Sequence, residues 1–149
     1  MAIATLLCTA LLVGGCSKID DRRLDEDMIT LSELRTLIIK QNASPKDAEV
    51  IILDARRLSV IARGGIPGAR PIDLLSIDSV QKRPDPKIAQ FDTKVVYGDN
   101  PADAIARAVA KRMLEAGYDN VRWYRGGWEE WARTVNPGTV PASSTSRTP

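Results

Sequence analysis

Lys94-Val95-Val96-Tyr97-Gly98-Asp99-Asn100-Pro101-Ala102-Asp103 is the stretch from which the rest of the chain can be read. Its first four residues are mostly apolar and end at a glycine, the pattern of a strand buried on both faces. A helix start follows at once. Asn100 is a capping residue, Pro101 suits the first helical position, and Asp103 puts a carboxylate in the first turn. Ile105, Val109, Ala110, Met113 and Leu114 then fall on one helical stripe. Gly117 stands where a helix ends on a left-handed residue.

The same alternation extends outward. Thr30-Leu31-Ser32-Glu33 reads as a capping box, and Leu31, Leu34, Leu37 and Ile38 follow at helical spacing, predicting a helix over 31–40. Val50-Ile51-Ile52-Leu53 is another buried strand, and Val121-Arg122-Trp123-Tyr124 is a third. Gly126-Gly127 leads into a short helix holding Trp128 and Trp131. Strands alternating with helices predict an α/β fold, a parallel sheet covered on both faces.

Six blocks, in order, resemble one family. They are Leu53-Asp54-Ala55-Arg56, Gly64-Gly65-Ile66-Pro67-Gly68-Ala69, Val95-Val96-Tyr97, Ala116-Gly117-Tyr118, Asn120-Val121, and Gly126-Gly127 with Trp131. Together they look like a rhodanese-like domain over 29–134. The resemblance implies a five-stranded parallel sheet flanked by helices on both faces. It also implies that active members carry a cysteine at the end of the strand reading Val95-Val96-Tyr97, wrapped by backbone N–H groups and faced by a helix N-terminus. Such a cradle suits a thiolate or persulfide, because converging amides and a helix dipole stabilise an anion. Here the pattern departs. Counted from the strand, Gly98 stands at the cysteine position; counted back from Gly117, Asn100 does. The family's histidine in the Gly-His-Ile-Pro-Gly-Ala block is replaced by Gly65.

Gly98, Asp99, Asn100, Pro101, Ala102 and Asp103 therefore form a pseudo-active loop with no catalytic residue. Asp99 reads as a solvated turn residue and Asp103 as a helix N-terminal acid; together they would repel thiosulfate or phosphate. Asp54 and Arg56 read as an ion pair that pins the loops beside the sheet, and Trp131 as packed under the last helix. Arg63 and Arg70 read as surface charges. Arg107, Lys111, Arg112, Arg122 and Arg125 form a candidate basic surface, and Trp128 is a candidate exposed anchor for a partner. Gln81 to Pro86 reads as a polar spacer.

Composition narrows the chemistry. The chain has 149 residues, 21 Lys plus Arg against 19 Asp plus Glu, and no histidine. Near-balanced charge gives no reason to expect nucleic acid. Without histidine, the commonest general base and metal ligand are missing, so no cofactor and no metal are expected. No paired carboxylates mark a hydrolase.

The two cysteines, Cys8 and Cys16, both lie near the N-terminus. Residues 2–15 are uncharged and mostly apolar. As a helix they would span about 21 Å, short of the roughly 30 Å hydrocarbon core. Leu12-Val13-Gly14-Gly15-Cys16 resembles a bacterial lipobox. Residues 1–15 are thus expected to be a lipoprotein signal peptide that takes Cys8 away, with Cys16 lipidated. An uncleaved anchor and a buried N-terminal helix are the alternatives. Residues 16–28 read as a charged tether and residues 135–149 as a disordered tail. The expected location is the cell envelope, facing the periplasm, with Ser17 favouring the outer membrane over the inner. The expected role is that of an inactive domain binding a protein partner or small ligand; the alternative is a sulfurtransferase-type enzyme, as the fold suggests.

Overall fold

The structure is a computed structural model and describes residues 21–135; the expected signal peptide, the expected lipidation site Cys16 and the expected tail beyond Val135 lie outside the described residues. In chain order the elements are α1 (Asp21–Glu26), β1 (Met28–Ile29), α2 (Leu31–Ala43), β2 (Val50–Asp54), α3 (Leu58–Ile61), β3 (Arg70–Pro71), α4 (Pro86–Ala89), β4 (Thr93–Tyr97), α5 (Ala104–Glu115), β5 (Val121–Tyr124) and α6 (Gly127–Val135). A single 3-10 turn, Leu74–Ser76, follows β3.

All five strands are parallel, in the order β1-β5-β4-β2-β3. Two of the three strand runs named from the sequence, now β2 and β4, lie inside the sheet where both faces are covered. Every residue of β2 is buried, as are the last four of β4. Period-two alternation then divides the core. Ile51, Leu53, Val96, Val121 and Trp123 face the α5 side, with Val109, Ala110 and Met113. Val50, Ile52, Val95, Tyr97 and Tyr124 face the other side, with Leu34 and Trp131. Trp131 is buried, as expected. The edge strands, with two residues each, are too short to have been read from periodicity.

The capping box forms as predicted. Thr30 N–H donates to Glu33 Oε2 at 2.7 Å, and Glu33 N–H donates to Thr30 Oγ1 at 3.3 Å. The helix runs three residues past Lys40, to Ala43. Gly117 ends α5 with φ +92°, and Gly117 and Tyr118 N–H groups donate back to the carbonyls of Leu114 and Met113. That closure needs a positive φ, which glycine adopts without a Cβ clash.

Three expectations are corrected. The charged stretch read as a tether contains α1, whose Leu24 is fully buried in the α5-side core. One apolar residue per turn is enough when it meets a groove, so the ordered domain begins before residue 29. Val135, assigned to the tail, is the last residue of α6. Pro86, assigned to a spacer, opens α4, which Asp85 caps by accepting from Lys87 N–H at 2.9 Å.

Lys94 is a buried cation with its side chain 1% exposed, and its Nζ is bonded to the exposed carboxylate of Asp119, just before β5. That hydrogen bond, with the ammonium charge, holds the Asp119 carboxyl below its ordinary value. A depressed carboxyl stabilises the fold above its unfolded pKa, about 3.9, and the contribution is lost as pH falls through the lower folded value. Asp119→Asn is therefore expected to flatten the acid limb of the stability curve, read as urea midpoints between pH 7 and pH 2. Leu24→Ala is expected to destabilise the domain by about 2–5 kcal/mol in urea unfolding; a tether residue would leave the midpoint unchanged.

Candidate functional site

The carboxyl ends of β2 and β4 lie side by side, with Asp54 opposite Tyr97. In parallel α/β sheets this end is where ligands are met. Asp54 and Arg56 are both buried there. Asp54 Oδ1 accepts from the Arg56 backbone N–H at 3.0 Å and from Arg56 Nε at 2.9 Å. Asp54 Oδ2 accepts from Arg56 Nη2 at 2.7 Å and from the Tyr97 hydroxyl. Arg56 Nη2 also donates to Gly64 O at 2.7 Å, and Ile66 N–H donates to the Tyr97 oxygen at 3.1 Å. The pair thus pins the 64–66 segment to two strand ends, as read from the sequence. Burial, reinforced by the Asp54 hydrogen bond, pushes the Tyr97 hydroxyl well above its ordinary value, so it remains a neutral donor.

Gly65 is held against this network. A Cβ there would stand 3.1 Å from both Arg56 Nη2 and the Tyr97 oxygen. The guanidinium lies 5.5 Å from the centre of the Tyr97 ring and 5.1 Å from that of Trp128. Trp128, expected as an exposed anchor, is instead partly buried as a cover over Arg56, with its ring against Gly64. Neither Tyr97 nor Trp128 was assigned to this site from the sequence. The signal lay in Tyr97 ending a buried strand, but its partner depends on strand register.

The six residues Gly98–Asp103 connect β4 to α5. Here the helix start is corrected. Asp103, rather than Asn100, caps α5: its Oδ1 accepts from Ile105 N–H at 2.8 Å and Ala106 N–H at 3.1 Å. Its Oδ2 accepts from Asp99 N–H at 2.8 Å. Asn100 caps only a turn, accepting from Ala102 N–H at 2.9 Å, with Pro101 inside that turn. Both residues are good caps, and Asp103 prevails because its second oxygen also meets Asp99.

The start of α6 closes over this loop. Trp128 N–H donates to Gly98 O and Glu129 N–H to Asp99 O, each at 2.8 Å. Gly127, at φ +66°, has the loop so close that a Cβ would lie 2.7 Å from Gly98 O. Only glycine permits that approach. Asp99 is half exposed, with Oδ1 3.7 Å from Arg56 Nη1. It is more than a solvated turn residue: partial burial raises its carboxyl above the ordinary value, Arg56 opposes that, and Asp103 adds to it.

Of the candidate basic surface, Arg107 and Arg125 line one depression together with Asp25 and Asp103, and several members are engaged elsewhere. Arg112 Nε donates to Ile77 O at 2.9 Å, Arg122 pairs with Asp27 at 3.4 Å, and Arg107 lies 6.0 Å from the centre of the Trp123 ring. Trp123 itself is core. Arg70 lies 5.4 Å from the centre of the Phe91 ring. Beside the loop, a groove of about 540 Å³ runs past Arg57, Leu58, Ile72, Leu74, Ile88 and Ile105. Leu58 and Ile105 stay exposed on its rim. Among the described residues, no three or more acidic or cysteine side chains gather as a metal site, and no helix is long and apolar enough to cross a membrane.

No curated protein matches the sequence. Among solved structures, a human single-domain sulfurtransferase, TSTD1, is 23% identical with a TM-score of 0.53, covering 72% of this chain and 96% of its own. The Saccharomyces cerevisiae single-domain sulfurtransferase RDL2 is 16% identical with a TM-score of 0.54, covering 77% and 95%. An As-Sb reductase from Leishmania major is 20% identical with a TM-score of 0.55, covering 74% and 78%. At these identities the likeness is one of fold. The family model for the rhodanese-like domain matches residues 30–134. With that match, the five-stranded parallel sheet and the family motifs at the ends of β2 and β4, the chain belongs to the rhodanese-like domain family.

Proposed function

We propose that this chain is a catalytically inactive rhodanese-like lipoprotein domain that acts at the cell envelope by binding a protein partner or a small ligand. One observation carries the reading. The turn after Tyr97, where active family members hold a cysteine, begins with Gly98, and the Asp103 carboxylate fills the space its side chain would need. Sulfur transfer through a persulfide needs a thiol in that turn, and the only cysteines are Cys8 and Cys16. With Cys8 removed and Cys16 lipidated, no free thiol is left. Fold alone does not restore the activity.

The binding surface suggested by this reading is the groove beside the loop, with Leu58 and Ile105 at its rim and Arg57, Asp73 and Asp85 among its polar groups. Its concave, partly apolar lining suits a peptide segment or small molecule better than nucleic acid. Acylation at Cys16 by more than one chain would hold the domain stably at the membrane, since a single chain binds marginally. Ser17 favours the outer membrane over the inner.

Two measurements test this. The full chain purified in detergent is expected to transfer no sulfur from thiosulfate to cyanide above a heat-killed control; clear turnover would establish the sulfurtransferase alternative instead. Radiolabelled palmitate fed to cells is expected to label the protein, and Cys16→Ser to abolish both the label and outer-membrane fractionation. Labelling retained in Cys16→Ser would place the anchor elsewhere, and an unlabelled wild type would argue against it.

A further inference from the structure

Little chain separates the expected lipid from the folded domain. α1 opens at Asp21, and its Leu24 is fully buried in the α5-side core. Five backbone steps lead from Cys16 to Asp21, a reach of about 18 Å even when fully extended. A folded domain of this size is roughly 35 Å across, twice that reach. The side that bears α1 therefore cannot turn away from the anchored residue.

A second feature is where the fold puts α1 and the groove. α1 leads straight into β1, and Asp27 between them is tied to β5: its carbonyl accepts from Trp123 N–H at 3.1 Å, and its carboxylate pairs with Arg122. α1 is thereby fixed at the β1 edge of the sheet. The groove lined by Ile72, Leu74 and Ile88 lies at the opposite edge, beside β3. β1 and β3 are four strand spacings apart, about 19 Å. Exposed apolar side chains gather at that far edge, with Leu58 on the groove rim and Leu75 in the 3-10 turn after β3. The α1 side differs in character. Its exposed residues are Arg22, Arg23, Asp25 and Glu26, polar groups of both signs.

We propose that the lipid at Cys16 seats the α1 and β1 side of the domain on the phospholipid headgroups of the leaflet and turns the groove beside β3 away from them, open to a partner. This rests on the lipoprotein reading given above. The surface that α1 meets is the membrane itself, whose headgroups carry both signs as α1 does. The length of the tether sets the contact, since the two arginines of α1 are offset by its acids. Burial of Leu24 is the device: by docking α1 it removes those residues from the tether and so fixes which face looks at the membrane. A partner then reaches the groove without displacing lipid.

The test uses the full lipidated chain in vesicles of phosphatidylethanolamine and phosphatidylglycerol doped with a nitroxide-headgroup lipid. Arg23→Cys and Leu75→Cys, both at exposed positions, each supply one thiol for a fluorophore that the headgroup nitroxide quenches at short range. Quenching is expected to be several-fold stronger at position 23 than at position 75. An insertion of about twenty Gly and Ser residues after Ser17, with a root-mean-square span of about 25 Å, is expected to bring the two toward equality. Equal quenching in the chain of native length, or a difference that survives the insertion, would overturn the proposal. Flotation with the vesicles reads the anchor separately. A wild type that floats no better than Cys16→Ser ends the lipoprotein reading and this inference with it. A wild type that floats while its two labels are quenched alike ends this inference and leaves the anchor standing.

Discussion

Asp54 is the constraint on which the functional end of the molecule depends. It sits at the last position of the most buried strand, in a place where an isolated charge would be strongly disfavoured. It is tolerated because Arg56 and Tyr97 both donate to it. Through those two donors it joins β2 to β4 and, by way of Gly64 and Ile66, to the segment that crosses above them. Such a pair is weak evidence of net stability, since burying both charges costs nearly what their attraction returns. Its value is positional: with one partner removed, a bare charge remains among apolar side chains, so alternative arrangements of these loops are penalised.

The glycines show the reverse side of that constraint. Gly98 and Gly127 stand where their neighbours leave no room for a Cβ, and at Gly65 a Cβ would fit only tightly against the polar network. Gly65 abuts the ion pair, Gly98 the Asp103 carboxylate, and Gly127 the backbone of the loop. The end of the sheet is therefore closely packed with polar groups, most of which satisfy one another, while Arg56 Nη1 finds no hydrogen-bond partner.

Much of this was legible in the residues. The strands β2 and β4 are continuous apolar runs, and such runs declare burial on two faces without any knowledge of the fold. The capping box and Gly117 are local chemistry and formed where local chemistry predicted. What escaped was set by tertiary contact. Leu24 is a lone apolar residue among charges, and only the groove beside α5 makes it core. Asn100 and Asp103 are equal as caps in sequence, and the choice fell to a hydrogen bond from Asp99. Trp128 became a cover over Arg56 because strand register put Tyr97 and Asp54 beside it. The family motifs at Asp54, Arg56 and Gly65 were visible, but their mutual geometry was not.

The short outer strands carry a consequence for assembly. β1 and β3 offer two residues each, and one of those in β3 is Pro71, which has no N–H to donate. An incoming strand would find too few unpaired backbone groups to extend the sheet, so edge-to-edge polymerisation is blocked at both sides. Two copies of this domain can therefore collide without fusing their sheets.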